Sequence, residues 1–289
     1  MSLVMYVGPL MEDEINGNDS MAILFLAPLV EDLVKHYINI MAESGVVVPK
    51  NNSVYDLRIE FIERLLDIYP HISIPEICKG FALPSFFELA ERIHYQDKIL
   101  LSEPNMVSAL VFLTRNIVQR FCESKPLAIF ISDTTLYKLG EAGEALYSYK
   151  DMFIIESYGY VAEACDTVLI IYVKNVRSMS KIIEKILLES PNLILSVDLM
   201  EVASQGIPLS ILELHKSKSL NIKFAVALEL NEKSIGEKEK NALEKLYNLY
   251  DGKLGMVLKN AKPLIPKPIK VSKDTLNRYV HNIIANLSA

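Results

Sequence analysis

The chain has 289 residues, 51% of them apolar and 23% charged, and a formal net charge of −6. That balance excludes a disordered chain and leaves enough material for a sizeable core in one large domain or two small ones. It also argues against a bare nucleic-acid binder, whose affinity comes largely from neutralised phosphates, so any contact with nucleic acid is expected to be indirect.

Residues 22–26, Ala-Ile-Leu-Phe-Leu, have the character of a buried parallel strand. The apolar run around them, residues 21–30, is far short of the ~20 residues that cross a bilayer. The acidic stretch before it, residues 11–20, does not suit a secretory signal. A cytoplasmic location with no membrane contact is therefore expected. Residues 29–43 follow with Leu29, Leu33, Tyr37, Ile40 and Met41 at helical spacing. Gly45 sits where a helix C-cap falls, residues 46–48 restart a strand, and residues 50–53 turn. The spacing of Leu57, Phe61, Leu65 and Ile68 predicts a helix over 54–69, ended by Pro70.

Helices are expected over 84–93 and 106–122, with a strand over 98–102 between them. Residues 127–132 form the clearest strand in the chain, with Asp133 at its C-terminal edge. Residues 134–150 read as helical around 140–148, and 152–156 as strand or helix turn. Strands over 167–173 and 192–197 flank a helix over 178–189. Residues 209–216 and 222–230 read as an antiparallel hairpin. A helix over 237–250 and a strand over 252–259 complete this part. Lys262-Pro-Leu-Ile-Pro-Lys-Pro268 then breaks regular structure before a helix over 273–287. The reading is an α/β domain over 1–260, a mostly parallel sheet flanked by helices, with a linker and C-terminal helix over 261–289.

The three cysteines, Cys78, Cys122 and Cys165, form no C-x-x-C pair and read as buried thiols in a reducing compartment. The five histidines are scattered with no pair at ligand spacing, so no metal site is expected. Absence of tryptophan and abundance of Ile, Leu, Lys and Glu match a heat-adapted, archaeal-like composition. Asp133 is the leading candidate site residue, because ligands of parallel sheets sit at the carboxyl ends of strands. The alternative for Asp133-Thr134-Thr135 is a helix cap. No G-x-x-x-x-G-K-[ST] loop exists: after the first strand the chain reads Ala27-Pro-Leu-Val-Glu-Asp32, whose acids would repel phosphate. Ser132 lacks a G-x-S-x-G elbow. Glu156, Glu163 and Asp166 read as solvated carboxylates. A basic, proline-interrupted stretch, Lys259 to Arg278, reads as a tail packed on its own domain or an arm for an acidic partner.

The order of elements over about residues 22–175 resembles the RecA/RadA/KaiC-like ATPase fold. Asp56-Leu-Arg58-Ile-Glu60 resembles its R-x-E helix start, and Leu127-Ala-Ile-Phe-Ile-Ser-Asp133 its Walker B strand. The resemblance implies a cofactor-binding, Walker B-like place for Asp133 beside a degenerate phosphate loop at residues 27–32. It implies a paralog without catalytic residues, cofactor or ATP hydrolysis. Such a protein would be an interaction or regulatory subunit, acting in DNA recombination or repair through a protein partner or as a homo-oligomer. The competing expectation is an α/β enzyme, a small-molecule transferase or hydrolase, with Asp133 at the strand ends.

Overall fold

Short aliphatic runs recur along the chain, and the computed structural model shows how they pair. It describes residues 4–8, 22–26, 33–43, 45–51, 54–58, 80–126, 128–141, 150–177, 179–190, 192–217, 224–230, 236–250 and 254–260. In chain order the elements begin β1 (Val4–Gly8), β2 (Ala22–Leu26), α1 (Leu33–Glu43), β3 (Val47–Asn51), β4 (Val54–Leu57), β5 (Gly80–Pro84) and α2 (Phe86–Arg92). They continue with β6 (Ile93–Tyr95), β7 (Lys98–Ile99), α3 (Pro104–Glu123), β8 (Ala128–Asp133), α4 (Leu136–Glu141), α5 (Lys150–Ala162) and β9 (Val168–Val173). The last are α6 (Ser180–Glu189), β10 (Leu193–Asp198), α7 (Leu199–Gln205), α8 (Leu209–Ser217), β11 (Phe224–Leu230), α9 (Glu237–Leu249) and β12 (Leu254–Asn260).

Eight of the strands are parallel and pair in the order β1, β2, β5, β8, β9, β10, β11, β12, and β12 returns to β1. The result is a closed barrel of eight parallel strands, with helices between successive strands from β2 to β12. A second sheet, β3-β4-β6-β7, is built from two insertions, β3 and β4 between β2 and β5, and β6 and β7 between β5 and β8, and is mostly antiparallel. Its β6–β7 turn, Gln96-Asp97, has both residues at positive φ, the twist that two-residue hairpins favour.

Side chains alternate across each barrel strand. On β8, Phe130 and Ser132 face the barrel interior, where Phe130 stacks on Tyr172 of β9 at 6.1 Å. Ile129, Ile131 and Asp133 face the surrounding helices. Helix α3 opens with proline in its first turn, where the missing N–H costs nothing. It buries Val107, Leu110, Leu113, Ile117 and Phe121, and packs against α5.

Several expectations change. The RecA-like reading is overturned: an open doubly wound sheet has two edges and a switch in strand order, whereas these strands close on themselves in chain order. Alternating strands and helices are common to both folds, and a lone hhhhD strand does not separate them. The C-terminal hairpin is absent, because residues 209–217 are the helix α8 and β11 runs parallel to β10. Leu209 is 64% exposed and Ile211 fully buried, opposite environments that one face of a strand would not give. Residues 54–57 start a strand paired antiparallel to β3, not a helix. Residues 98–102 hold only the two-residue β7 and a 3-10 turn. Cys122 and Cys165 form a disulfide joining the end of α3 to the loop before β9, instead of standing as separate thiols. Cys78, residues 27–32, the expected helix over 273–287 and the basic stretch beyond Asn260 lie outside the described residues.

Candidate active site at the barrel mouth

Helix α2 begins directly after β5. Ser85 caps it: its side-chain oxygen accepts the Glu88 N–H at 3.0 Å. In Ser85-Phe-Phe-Glu88 the spacing is that of a capping box, in which the glutamate would reach back to the cap N–H. Here the Ser85 N–H is already spent, donating to the Ser132 carbonyl at 2.7 Å as the β5–β8 ladder runs one residue further. The Glu88 carboxyl therefore turns to the neighbouring strand end. Its Oε1 accepts the Thr134 N–H at 2.6 Å and the Thr134 hydroxyl at 2.5 Å. The side chain is buried at the edge of a cleft of about 150 Å³.

The cleft is formed where α1 and α2 meet the C-terminal ends of β8 and β9. Val34, Glu88, Arg92, Ser132, Tyr172 and Lys174 all contribute to its lining. Glu91, also in the lining, is bonded to the Thr135 hydroxyl at 3.1 Å and paired with Lys138. Tyr172 is 1% exposed, with its hydroxyl 3.5 Å from Asp198.

Asp133 stands behind this cleft and is absent from its lining. Strand parity turns it toward the outer layer, where it is fully buried. Oδ1 accepts the N–H groups of Thr135 and Leu136 at 3.0 and 2.8 Å, capping the start of α4. Oδ2 accepts the Tyr158 hydroxyl from α5, and the Ser85 hydroxyl bonds the same carboxylate. Burial pushes Asp133 up to about 6, against the pull of these four donors. Burial, then the charge of Asp133, pushes Glu88 up to about 8, while the two Thr134 bonds pull the other way. Tyr158 is raised well above its ordinary value, first by burial and then by Asp133. Burial and the neighbouring Asp133 charge thus both favour the neutral acid of Glu88.

Of the other sequence candidates, Ser132 reaches the cleft, one residue from Asp133 and on the opposite face. Glu156, Glu163 and Asp166 are exposed on α5 and the loop before β9, away from the cleft. Sequence reading missed Glu88, Arg92 and Lys174; the S-x-x-E spacing of Ser85–Glu88 was the one local signal available. Among the described residues, no group of three His, Cys, Asp or Glu side chains could hold a metal, and no helix is long and apolar enough to cross a membrane.

No protein-family model matches the sequence, and no curated protein matches it. Among solved structures, a B12-independent methionine synthase from Shewanella sp. W3-18-1 is similar at 12% identity, over 81% of this chain and 69% of that one, with a TM-score of 0.49. A methyltransferase from Methanosarcina mazei is similar at 11% identity, over 78% of this chain and 63% of that one, with a TM-score of 0.45. This chain thus spans less than two thirds of the methyltransferase. A dihydrodipicolinate synthase from Oceanobacillus iheyensis matches over 99% of this chain at 13% identity, with a TM-score of 0.34. The closed barrel topology removes the ground for a non-hydrolysing RecA-like subunit in recombination.

Proposed function

We propose that this protein is an α/β-barrel enzyme, a transferase or hydrolase of a small molecule, with Glu88 as its general acid. Barrel enzymes place their chemistry at the C-terminal ends of the strands, and that analogy only locates the search. The observation that carries the reading is a buried, cleft-lining carboxyl beside Asp133, a setting that raises its pKa and favours its neutral form. A neutral carboxyl can give a proton to a leaving group or a carbonyl oxygen. The carboxylate that remains is met by donors already in place, the N–H and hydroxyl of Thr134 on Oε1. Asp133 acts from behind, through its charge and through the Thr134–Leu136 turn that it fixes.

The test is a turnover screen of the purified protein against small esters, phosphate esters and glycosides, followed by Glu88→Gln. Glutamine keeps the acceptor for Thr134 but has no acidic proton. The variant is expected to lower kcat by about 10²–10⁴-fold. The wild-type rate should fall as pH rises past the Glu88 pKa, because the acid is then lost. Turnover unchanged in Glu88→Gln overturns the assignment.

A further inference from the structure

Among the described residues, the charged side chains lining the cleft are Glu88, Glu91, Arg92 and Lys174. Glu91 is neutralised by Lys138. Glu88 is flanked by Asp133 and ionises reluctantly. Among the described residues Arg92 and Lys174 have no ion-pair partner, and both are exposed to solvent at the cleft. In a chain whose net charge is −6, the mouth thus presents two cations without an ion pair among the described residues. Lys174 is also held in place from behind. Glu201 of α7 accepts the N–H groups of Asn175 and Val176 at 3.0 and 2.8 Å. Asn175 adopts a left-handed φ of 53°, which asparagine tolerates better than most residues. That clamp ends β9 at Val173 and turns Lys174 toward the cleft, two residues beyond inward-facing Tyr172.

We propose that the cleft binds the oxyanion of a small substrate, a phosphate or carboxylate, between Lys174 and Arg92. This deepens the active-site reading above and rests on it. The volume limits the ligand. A cavity near 150 Å³ holds about the bulk of a benzene ring, so the bound portion is a phosphate group or a short-chain acid. The anion would sit beside the Glu88 carboxyl, which can protonate it or the atom next to it.

Binding is measured by calorimetry and backbone-amide NMR on the full chain, with inorganic phosphate, acetate and succinate as probes and glycerol as the neutral comparison. Phosphate or a carboxylate is expected to bind and glycerol not, and the stronger of the two arms names the substrate class. A hydrogen bond to a charged group contributes about 1.5–3 kcal/mol, so Lys174→Met and Arg92→Met should each weaken binding by about 10–100-fold. Lys185→Met, exposed on α6, should leave it unchanged. Glu201→Ala, which releases the turn but keeps the lysine, should weaken binding as well. No binding by any anion, or binding indifferent to both Lys174→Met and Arg92→Met, overturns the proposal. The two readings fail separately. Loss of turnover in Glu88→Gln without anion binding sinks only the oxyanion site, and anion binding with turnover intact in Glu88→Gln sinks only the acid.

Discussion

Burying Glu88 beside Asp133 ties folding to pH. Its ordinary value is 4.5 and its folded value about 8, so between those limits the native state holds a proton that the unfolded chain releases. Stability from this group is complete below about pH 4.5 and is lost as pH rises through 8. Glu88→Gln removes the titration. Urea unfolding at about pH 5 and about pH 9 should therefore show the variant gaining on the wild type by on the order of a kcal/mol or more at the alkaline end. An equal difference at both pH values would mean that Glu88 titrates normally in the fold. Asp133 was legible as the residue at the edge of the clearest strand, and the cap-forming Asp133-Thr-Thr sequence also suggested its bonds to Thr135 and Leu136. Its orientation follows from the parity of β8, which places Ser132 inward and Asp133 outward, and sequence alone does not fix which face is which. Glu88 was not legible, since its direction depends on Ser132 occupying the Ser85 N–H.

Helix α2 has only seven residues, too few to be stable alone. It depends on its Ser85 cap and on buried Phe86, Phe87, Leu89 and Ala90. Ser85→Ala removes the cap and one donor to Asp133. The expected loss is about 1–2 kcal/mol, read as a lower urea midpoint at unchanged m. A second element-level constraint is the Cys122–Cys165 bridge, which closes a loop with a sequence separation of 43. Reduction should cost about 2–4 kcal/mol, with the double Cys→Ser variant matching the reduced wild type and insensitive to reductant. A melting temperature that ignores reductant would show that the two thiols are not bonded. The strands β8, β9 and β10 were readable because buried parallel strands are short uniform apolar runs. Helix α8 was not, because Leu-Ser-Ile-Leu-Glu-Leu carries partial alternation and helical spacing at once, and only its packing chooses between them.

At the scale of the whole molecule, alternating strands and helices announced a parallel sheet, but closure is a relation between the two ends of the chain and leaves no local mark. β1 pairs in parallel with both β2 and β12, from Val4 opposite Met256 to Val7 opposite Lys259. It is the strand that removes the sheet's free edges. Deleting residues 1–8 would uncover the backbone donors and acceptors of β2 and β12 together, two edges that invite pairing with other chains. The loss differs from that of a surface strand, because the barrel interior would also open along its length. The truncated protein should therefore bind a hydrophobic dye, elute as oligomers on size exclusion and unfold over a broader range than the full chain, since the eight strands no longer form one cooperative unit. The mouth lies at the C-terminal ends of β8 and β9, across the barrel from β1 in strand order, yet its geometry depends on the closed shape. Anion binding at Lys174 and Arg92 should accordingly weaken in the truncated protein although no cleft residue has changed. A monomeric truncated protein with a sharp transition and undiminished anion affinity would show that the barrel does not need its first strand to close.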